Sequence, residues 1–329
     1  MLRVVLLLSW FFTSQSFAEV STLSTGASSA MANIQQPPDI LSRMADLENP
    51  LIRKELPAAG KCVFQQWPSN MGSDLGHLLY LPTDWKPGVQ YPVLVEYLGN
   101  SAKVSDGRGI GYGLSGGKGF IWLVLPFVSK DLKSDEAWWW GDVEATVEYA
   151  KKSIPAICEQ WGGNTKQIIL LGYSRGAIAC NYIGLHDDEI SKFWKAMVIV
   201  SHYDDAHIPW GMSTAEQAEA PKRLLRLGQI PQLICGEYCS IPQLGSDAVL
   251  KQNIHEQKIS SFEEAKAKLG LKPILEVEGT KDFIAKNAPH GVFCFMDLPW
   301  VNHSHQVLLR DSEQRQLIRS WMNKAILND

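Results

Sequence analysis

Apolar residues recur along this chain in two spacings. The first is the short unbroken run. Tyr91-Pro92-Val93-Leu94-Val95-Glu96-Tyr97 leads into Leu98-Gly99-Asn100, and Phe120 to Pro126, Gln167 to Leu171, Lys195 to Val200, Pro231 to Gly236 and Phe293 to Leu298 repeat the form. Such runs are too short for helices and rich in β-branched residues, and they predict strands buried on both faces, the habit of parallel sheets. Shorter β-like runs at 62–66 and 77–80 predict an antiparallel start to the same sheet. The second spacing is helical. Val143, Val147, Ala150, Ile154, Ile157, Cys158 and Trp161 fall three or four apart, which predicts a helix from Asp142 to Trp161, kinked at Pro155 and stopped by Gly162-Gly163-Asn164. Ala177 to Leu185 and the amphipathic stretch Phe262 to Leu269 predict two more helices. Asp311 is the expected N-cap of a last helix running to about Ile326, with Gln314 at the capping-box position. Strands alternating with helices predict an α/β fold, a mostly parallel central sheet with helices on both faces. The stretches 205–230 and 240–290 are longer than simple connections need. They predict lid-like insertions or a substrate wall, the alternative being plain packing.

Composition narrows this picture. The chain has 329 residues, 45% of them hydrophobic, enough for one sizeable core, assigned here to residues 61–329. Net charge is −4 with no long run of one sign, which points away from nucleic acid and anionic membranes as partners. The amino-terminus has the form of a secretory signal peptide, residues 1–18. Arg3 precedes the apolar stretch Val4 to Phe12, and Ser16-Phe17-Ala18 offers small residues before a cut. That stretch falls short of the roughly 20 residues that span a bilayer. The expectation is a secreted or periplasmic protein with no span in its mature form. Residues 19–60, rich in Ser, Thr, Ala and Gln at their start, are expected to form a partly flexible leader. Six cysteines in an oxidising compartment make some disulfides plausible, although Cys158 and Cys180 fall in predicted helices and read as buried thiols. No cysteine or histidine spacing suggests a metal.

The chemistry concentrates at Gly172-Tyr173-Ser174-Arg175-Gly176, which joins a predicted strand to a predicted helix. A serine at such a junction stands on a sharp turn with its oxygen exposed, and flanking glycines let the two backbone arms come close. The bland counterpart is a helix cap. A serine hydroxyl attacks a carbonyl only when a base takes its proton, so a histidine is required, and a carboxylate to orient it. The developing oxyanion needs two backbone N–H groups. Arg175 is expected to give one, and Gly99 or Asn100, in the turn after the strand at 91–97, the other. The glycine-rich stretch Gly107 to Gly119 shapes the same rim; no Gly-Lys-Ser/Thr follows it, which argues against a phosphate site.

With the Ser174 motif, the Leu98-Gly99-Asn100 turn and a histidine-bearing loop near residue 303, the chain resembles the α/β-hydrolase superfamily over roughly residues 75–329. Within it the chain is similar to secreted bacterial esterases of the polyhydroxybutyrate-depolymerase and feruloyl or acetyl-xylan esterase type. The resemblance implies the order serine, acid, histidine, with the histidine after the last strand. Among eight histidines, His303 and His305 fit, and His303 is favoured because His305 sits nearer the following helix. The acid commonly closes a Gly-x-x-Asp turn. Here Gly236-Glu237-Tyr238-Cys239 puts cysteine in that place. Asp204, in the turn after the strand at 195–200, is the favoured acid and Glu237 the alternative. The implied function is a serine hydrolase that cleaves carboxylic esters through an acyl-enzyme, on small or polymeric substrates and without metal or cofactor. A peptidase of the same fold and a non-catalytic carbohydrate-binding homologue are the alternatives. Among twelve tryptophans, Trp138-Trp139-Trp140 could reach the edge of the site, where aromatic faces suit sugar rings or aromatic acyl groups, or could simply fill the core.

Overall fold

The computed structural model describes residues 44–205, 210–239, 256–298 and 303–327. The expected signal peptide, the first part of the leader and part of the 240–290 stretch lie outside these.

Ten strands form the sheet: β1 (Ile52–Arg53), β2 (Cys62–Gln65), β3 (His77–Tyr80), β4 (Tyr91–Tyr97), β5 (Ile121–Leu125), β6 (Gly163–Tyr173), β7 (Ala196–Val200), β8 (Gln232–Cys239), β9 (Lys272–Pro273) and β10 (Phe293–Leu298). Their order is β1-β2-β3-β5-β4-β6-β7-β8-β10, with β9 paired to β8 off this path. β2, β3 and β5 pair antiparallel, and from β5 through β4, β6, β7 and β8 to β10 every pairing is parallel. The unbroken apolar runs are therefore the parallel strands; β5 and β7 are buried throughout and β4 almost so, whereas β10, at the sheet edge, is only partly buried and exposes Cys294 and Asp297.

Alternate residues of those strands serve two cores. Val93, Val95 and Tyr97 of β4 share one with α2 (Val143–Trp161), α3 (Arg175–Tyr182), α5 (Ala220–Leu225) and α7 (Val277–Asn287). Leu94, with Ile169, Val198 and Leu233, packs on the other side with Leu114 of α1 (Gly111–Ser115) and with Ile318, Met322 and Ile326 of α8 (Glu313–Leu327). Helices thus cover both faces of a mostly parallel sheet. No described helix is long and apolar enough to cross a membrane.

Several expectations need adjusting. α2 includes Pro155 within its span, while the cap expectation shifts by one residue: the cap of α8 is Ser312, whose Oγ accepts from Arg315 N at 3.1 Å. Asp311 instead bonds the Arg315 and Gln316 side chains. The stretch 205–230 carries α4 (Thr214–Ala218) and α5. The stretch 240–290 carries α6 (Phe262–Leu269) and α7, and α7 is the crossover that parallel β8 and β10 require, its Phe283 and Ile284 buried in the core. Cys62, Cys158, Cys180, Cys235 and Cys294 are all free, so no disulfide joins any of these five. Four of them are buried, and burial pushes the Cys62 thiol up to about 12 and the Cys158 thiol up to about 11.

Candidate active site

β6 ends at Tyr173 and α3 begins at Arg175, leaving Ser174 alone on the turn with φ 57° and ψ −122°. A non-glycine residue held there stores roughly 1–3 kcal/mol of backbone strain. The fold sustains it through its neighbours. A Cβ on Gly172 would collide with the Gly176 carbonyl, and one on Gly176 with the Tyr97 carbonyl, so only glycines let α3, β6 and β4 converge here. Ser174 N donates to Val200 O at 3.1 Å. The Ser174 side chain makes no capping hydrogen bond, which disposes of the helix-cap reading.

The turn after β4 lies against this serine. The Cβ position of Gly99 is 3.4 Å from Ser174 Cβ and 3.9 Å from its Oγ. The N–H groups that open a helix have no intrahelical acceptor, and Arg175 supplies the first of them in α3. Its buried side chain then fixes the rim. Nη1 donates to Trp139 O at 2.6 Å and Glu136 O at 3.1 Å, Nη2 to Gly99 O at 3.1 Å and Ala102 O at 3.5 Å, and Nε to Leu98 O at 3.4 Å. The guanidinium lies 3.9 Å from the Phe127 ring centroid. Burial pushes its pKa down to about 10, with Asp135 and Glu136 opposing, so it stays cationic at neutral pH. Asn100 joins the same two loops, its Oδ1 accepting from Trp139 N at 2.9 Å.

His303 follows β10, beyond the undescribed residues 299–302. Its Nδ1 meets Glu237 Oε1, and Glu237 is 0% exposed while the His303 side chain remains 35% exposed. The sequence favoured Asp204 as the acid, and the structure gives that side chain another partner. Asp204 is fully buried, with Oδ2 taken by Arg223 Nε at 2.8 Å and Oδ1 by Arg223 Nη2 at 2.9 Å. Its charge is neutralised within that fork, whereas the carboxylate on His303 is the alternative, Glu237. The Gly-x-x-Asp spacing misleads here because β8 does not turn after Gly236. The strand continues to Cys239, and Glu237 is inside it, paired with Leu298 of β10. His305 opens a separate 3-10 turn, His305–Leu309, and burial pushes its pKa down.

Three further groups that the motif reading passed over stand in the site. Tyr173 fills the open position of the motif. Its ring stacks on His303 at 4.7 Å and 26°, and its hydroxyl lies 2.8 Å from His303 Nδ1 and 3.0 Å from Glu237 Oε1. Ser201 and His202 open the turn after β7. Ser201, with φ 88°, puts its Oγ 2.7 Å from His202 Nδ1 and 3.3 Å from His303 Nδ1. Burial, and secondarily the neighbouring His303, push His202 down to about 3, so it is neutral. Its ring lies 4.4 Å from Trp210. Gly211 packs on the Trp139 indole, and Trp138 stands 61% exposed beside it. Trp140 is buried, 4.5 Å from Tyr182, which is the core-filling role for one member of the triplet.

No protein-family model and no curated protein sequence matches the chain. Solved structures do match. An S-formylglutathione hydrolase from Agrobacterium tumefaciens aligns over 83% of this chain and 97% of its own, at 11% identity and TM-score 0.50. An acetyl xylan esterase from Paenibacillus sp. R4 aligns over 80% of this chain and 88% of its own, at 12% identity and TM-score 0.45. A thermostable esterase aligns over 80% of this chain at 12% identity and TM-score 0.43, and the chain spans 62% of that esterase's length. The sheet order, the strained serine between β6 and α3 and the likeness to the Agrobacterium structure agree: this chain has the α/β-hydrolase fold.

Proposed function

We propose that the protein is a serine hydrolase of carboxylic esters, with Ser174 as nucleophile, His303 as base and Glu237 as the acid. The observation that carries the reading is the Glu237–His303 pair standing against Tyr173, the residue next to the strained serine. With Nδ1 turned to a buried carboxylate, Nε2 is the basic nitrogen of the imidazole. It takes the Ser174 proton as Oγ attacks the ester carbonyl, and Glu237 stabilises the imidazolium that forms. The oxyanion is held by the Arg175 N–H and by an N–H from Gly99 or Asn100. His303 returns the proton to the departing alcohol. Water, deprotonated by the same nitrogen, then attacks the acyl-enzyme and releases the acid. The chemistry calls for neither metal nor cofactor.

The half-buried Trp210, against His202, and Trp139, bonded to Asn100, offer indoles near this centre, with the exposed Trp138 next to Trp139 in sequence, which suits a polysaccharide-linked or polyester substrate. The signal-peptide form of residues 1–18 supports a secreted or periplasmic location.

The test compares turnover of a p-nitrophenyl acyl ester with that of a p-nitroanilide peptide by the wild-type protein and by Ser174→Ala. Ester turnover lost in the variant, with no anilide turnover, is expected. Anilide turnover matching the ester would make the protein a peptidase, and no turnover of either by folded protein would leave a non-catalytic homologue.

A further inference from the structure

Glu237 is the group least provided for in the site. Its carboxylate is entirely buried, yet Oε2 has no hydrogen-bond partner among the described residues. Among the described residues two donors reach it, both at Oε1: His303 Nδ1–H and the Tyr173 hydroxyl, the latter at 3.0 Å. A buried carboxylate is tolerated only as far as donors satisfy it.

The proton inventory fixes what the tyrosine does. Its hydroxyl carries one hydrogen and lies within reach of both Glu237 Oε1 and His303 Nδ1. A carboxylate oxygen can only accept, so the Tyr173 proton goes to Glu237. The lone pairs of Oη then face Nδ1–H at 2.8 Å, and the imidazole proton is shared between carboxylate and phenol. The opposite tautomer, with Nδ1 bare, would take the histidine donor from Glu237 and set the Nδ1 lone pair against lone pairs of both the carboxylate and the phenol. Tyr173 therefore selects the Nδ1–H tautomer, the one that presents a basic Nε2. Its ring adds a second constraint by lying nearly parallel to the imidazole at 4.7 Å. Because Tyr173 immediately precedes Ser174, one stretch of backbone sets both the nucleophile and the orientation of its base.

We propose that Tyr173 is a positioning residue of the hydrolytic site, its hydroxyl donating to the Glu237 carboxylate and holding the His303 imidazole in the tautomer that can accept the serine proton. This rests on the reading of Ser174, His303 and Glu237 given above.

Tyr173→Phe keeps the stacked ring and removes only the hydroxyl. On a p-nitrophenyl ester, kcat is expected to fall about tenfold, an increase of about 1.4 kcal/mol in the barrier, with KM within about twofold of wild type. The low-field proton resonance of His303 Nδ1–H, absent in His303→Ala, is expected to move upfield in Tyr173→Phe. 3-Fluorotyrosine at position 173 retains the hydroxyl and the packing while making it a stronger donor and weaker acceptor, so the same resonance should shift in a protein that folds as wild type does. A Tyr173→Phe variant with wild-type kcat and an unmoved resonance would overturn the inference, as would an unmoved resonance in the fluorotyrosine protein. His303→Ala and Glu237→Gln run alongside. If both keep full activity, the triad reading itself fails; if both lose activity while Tyr173→Phe does not, only the role of Tyr173 is refuted.

Discussion

In the proposed mechanism Arg175 supplies an oxyanion N–H from its backbone, and its side chain holds the loop that would supply the other. Its substitution therefore has a consequence for stability and a separate one for rate. Arg175→Met keeps the length and apolar character of the stem but removes every donor to Leu98, Gly99, Ala102, Glu136 and Trp139. A buried carbonyl left without a donor costs roughly 1–3 kcal/mol, and water reaching the half-buried carbonyls recovers part of this. The guanidinium was itself costly to bury, as its lowered pKa records, so a further part is refunded when the charge goes. A net loss of about 3 kcal/mol is the expected outcome, which at roughly 2.1 cal/mol/K of unfolding entropy per residue lowers the unfolding midpoint by roughly 4–5 °C. On the rate side, the turn at Gly99–Asn100 loses its tether, and misplacing one oxyanion donor lowers kcat by about 10²–10³-fold. The backbone N–H of residue 175 is still present, so activity should not vanish. Thermal unfolding and ester kinetics at a temperature well below both midpoints separate the two effects. Arg175→Lys has fewer donors to offer and should fall between. A methionine variant that unfolds within about 1 °C of wild type and turns over ester at the wild-type rate would refute the reasoning.

His77 is buried, with Nδ1 2.9 Å from Tyr149 Oη, and burial pushes its pKa down to about 4. It is neutral in the fold and titrates near 6.5 once unfolded, so its contribution is complete above pH 6.5 and is lost as pH falls towards 4. The maximum is about 3 kcal/mol, from some 2.5 pK units at 1.36 kcal/mol each. Denaturant titrations between pH 7 and 4 should show that slope, flattened in His77→Phe; an equal slope in both proteins would assign it elsewhere, His202 being the next group with a depressed pKa. Trp138→Ala removes an exposed indole and should leave stability and small-ester kinetics unchanged while raising KM for a polysaccharide-linked ester several-fold. Equal KM values for both substrates would remove Trp138 from substrate binding.

The fold was legible because burial on both faces writes itself as unbroken apolar runs: β4, β5 and β7 lie within a residue or two of theirs, while β6 starts four residues earlier, in a polar stretch that its apolar run does not mark. Ser174 was legible for a similarly local reason: Gly172 and Gly176 are demanded by backbone contacts, with each other and with Tyr97, that a sequence motif can encode. The acid was not local. Whether Asp204 or Glu237 faces His303 depends on Arg223, 19 residues on from Asp204, claiming both of the aspartate's oxygens, and on β8 running past Gly236. Neither fact has a signature in the turn itself. Tyr173 was hidden in another way, since it occupies the position that the motif leaves open, and its value comes from a strand and a loop far along the chain. The cap of α8 moved by a single residue because Asp311 and Ser312 can both cap and the aspartate is held by Arg315 and Gln316 instead.

The central claim is that Ser174 is activated by His303 and that Glu237, not Asp204, orients that histidine. Covalent labelling by a fluorophosphonate reads serine activation without knowledge of the substrate. The account requires wild-type protein to label, Ser174→Ala to lose labelling, His303→Ala and Glu237→Gln to slow it by orders of magnitude, and Asp204→Asn, where folded, to label at a rate close to wild type. Labelling that survives Glu237→Gln at full rate, or folded wild-type protein that does not label, would contradict it.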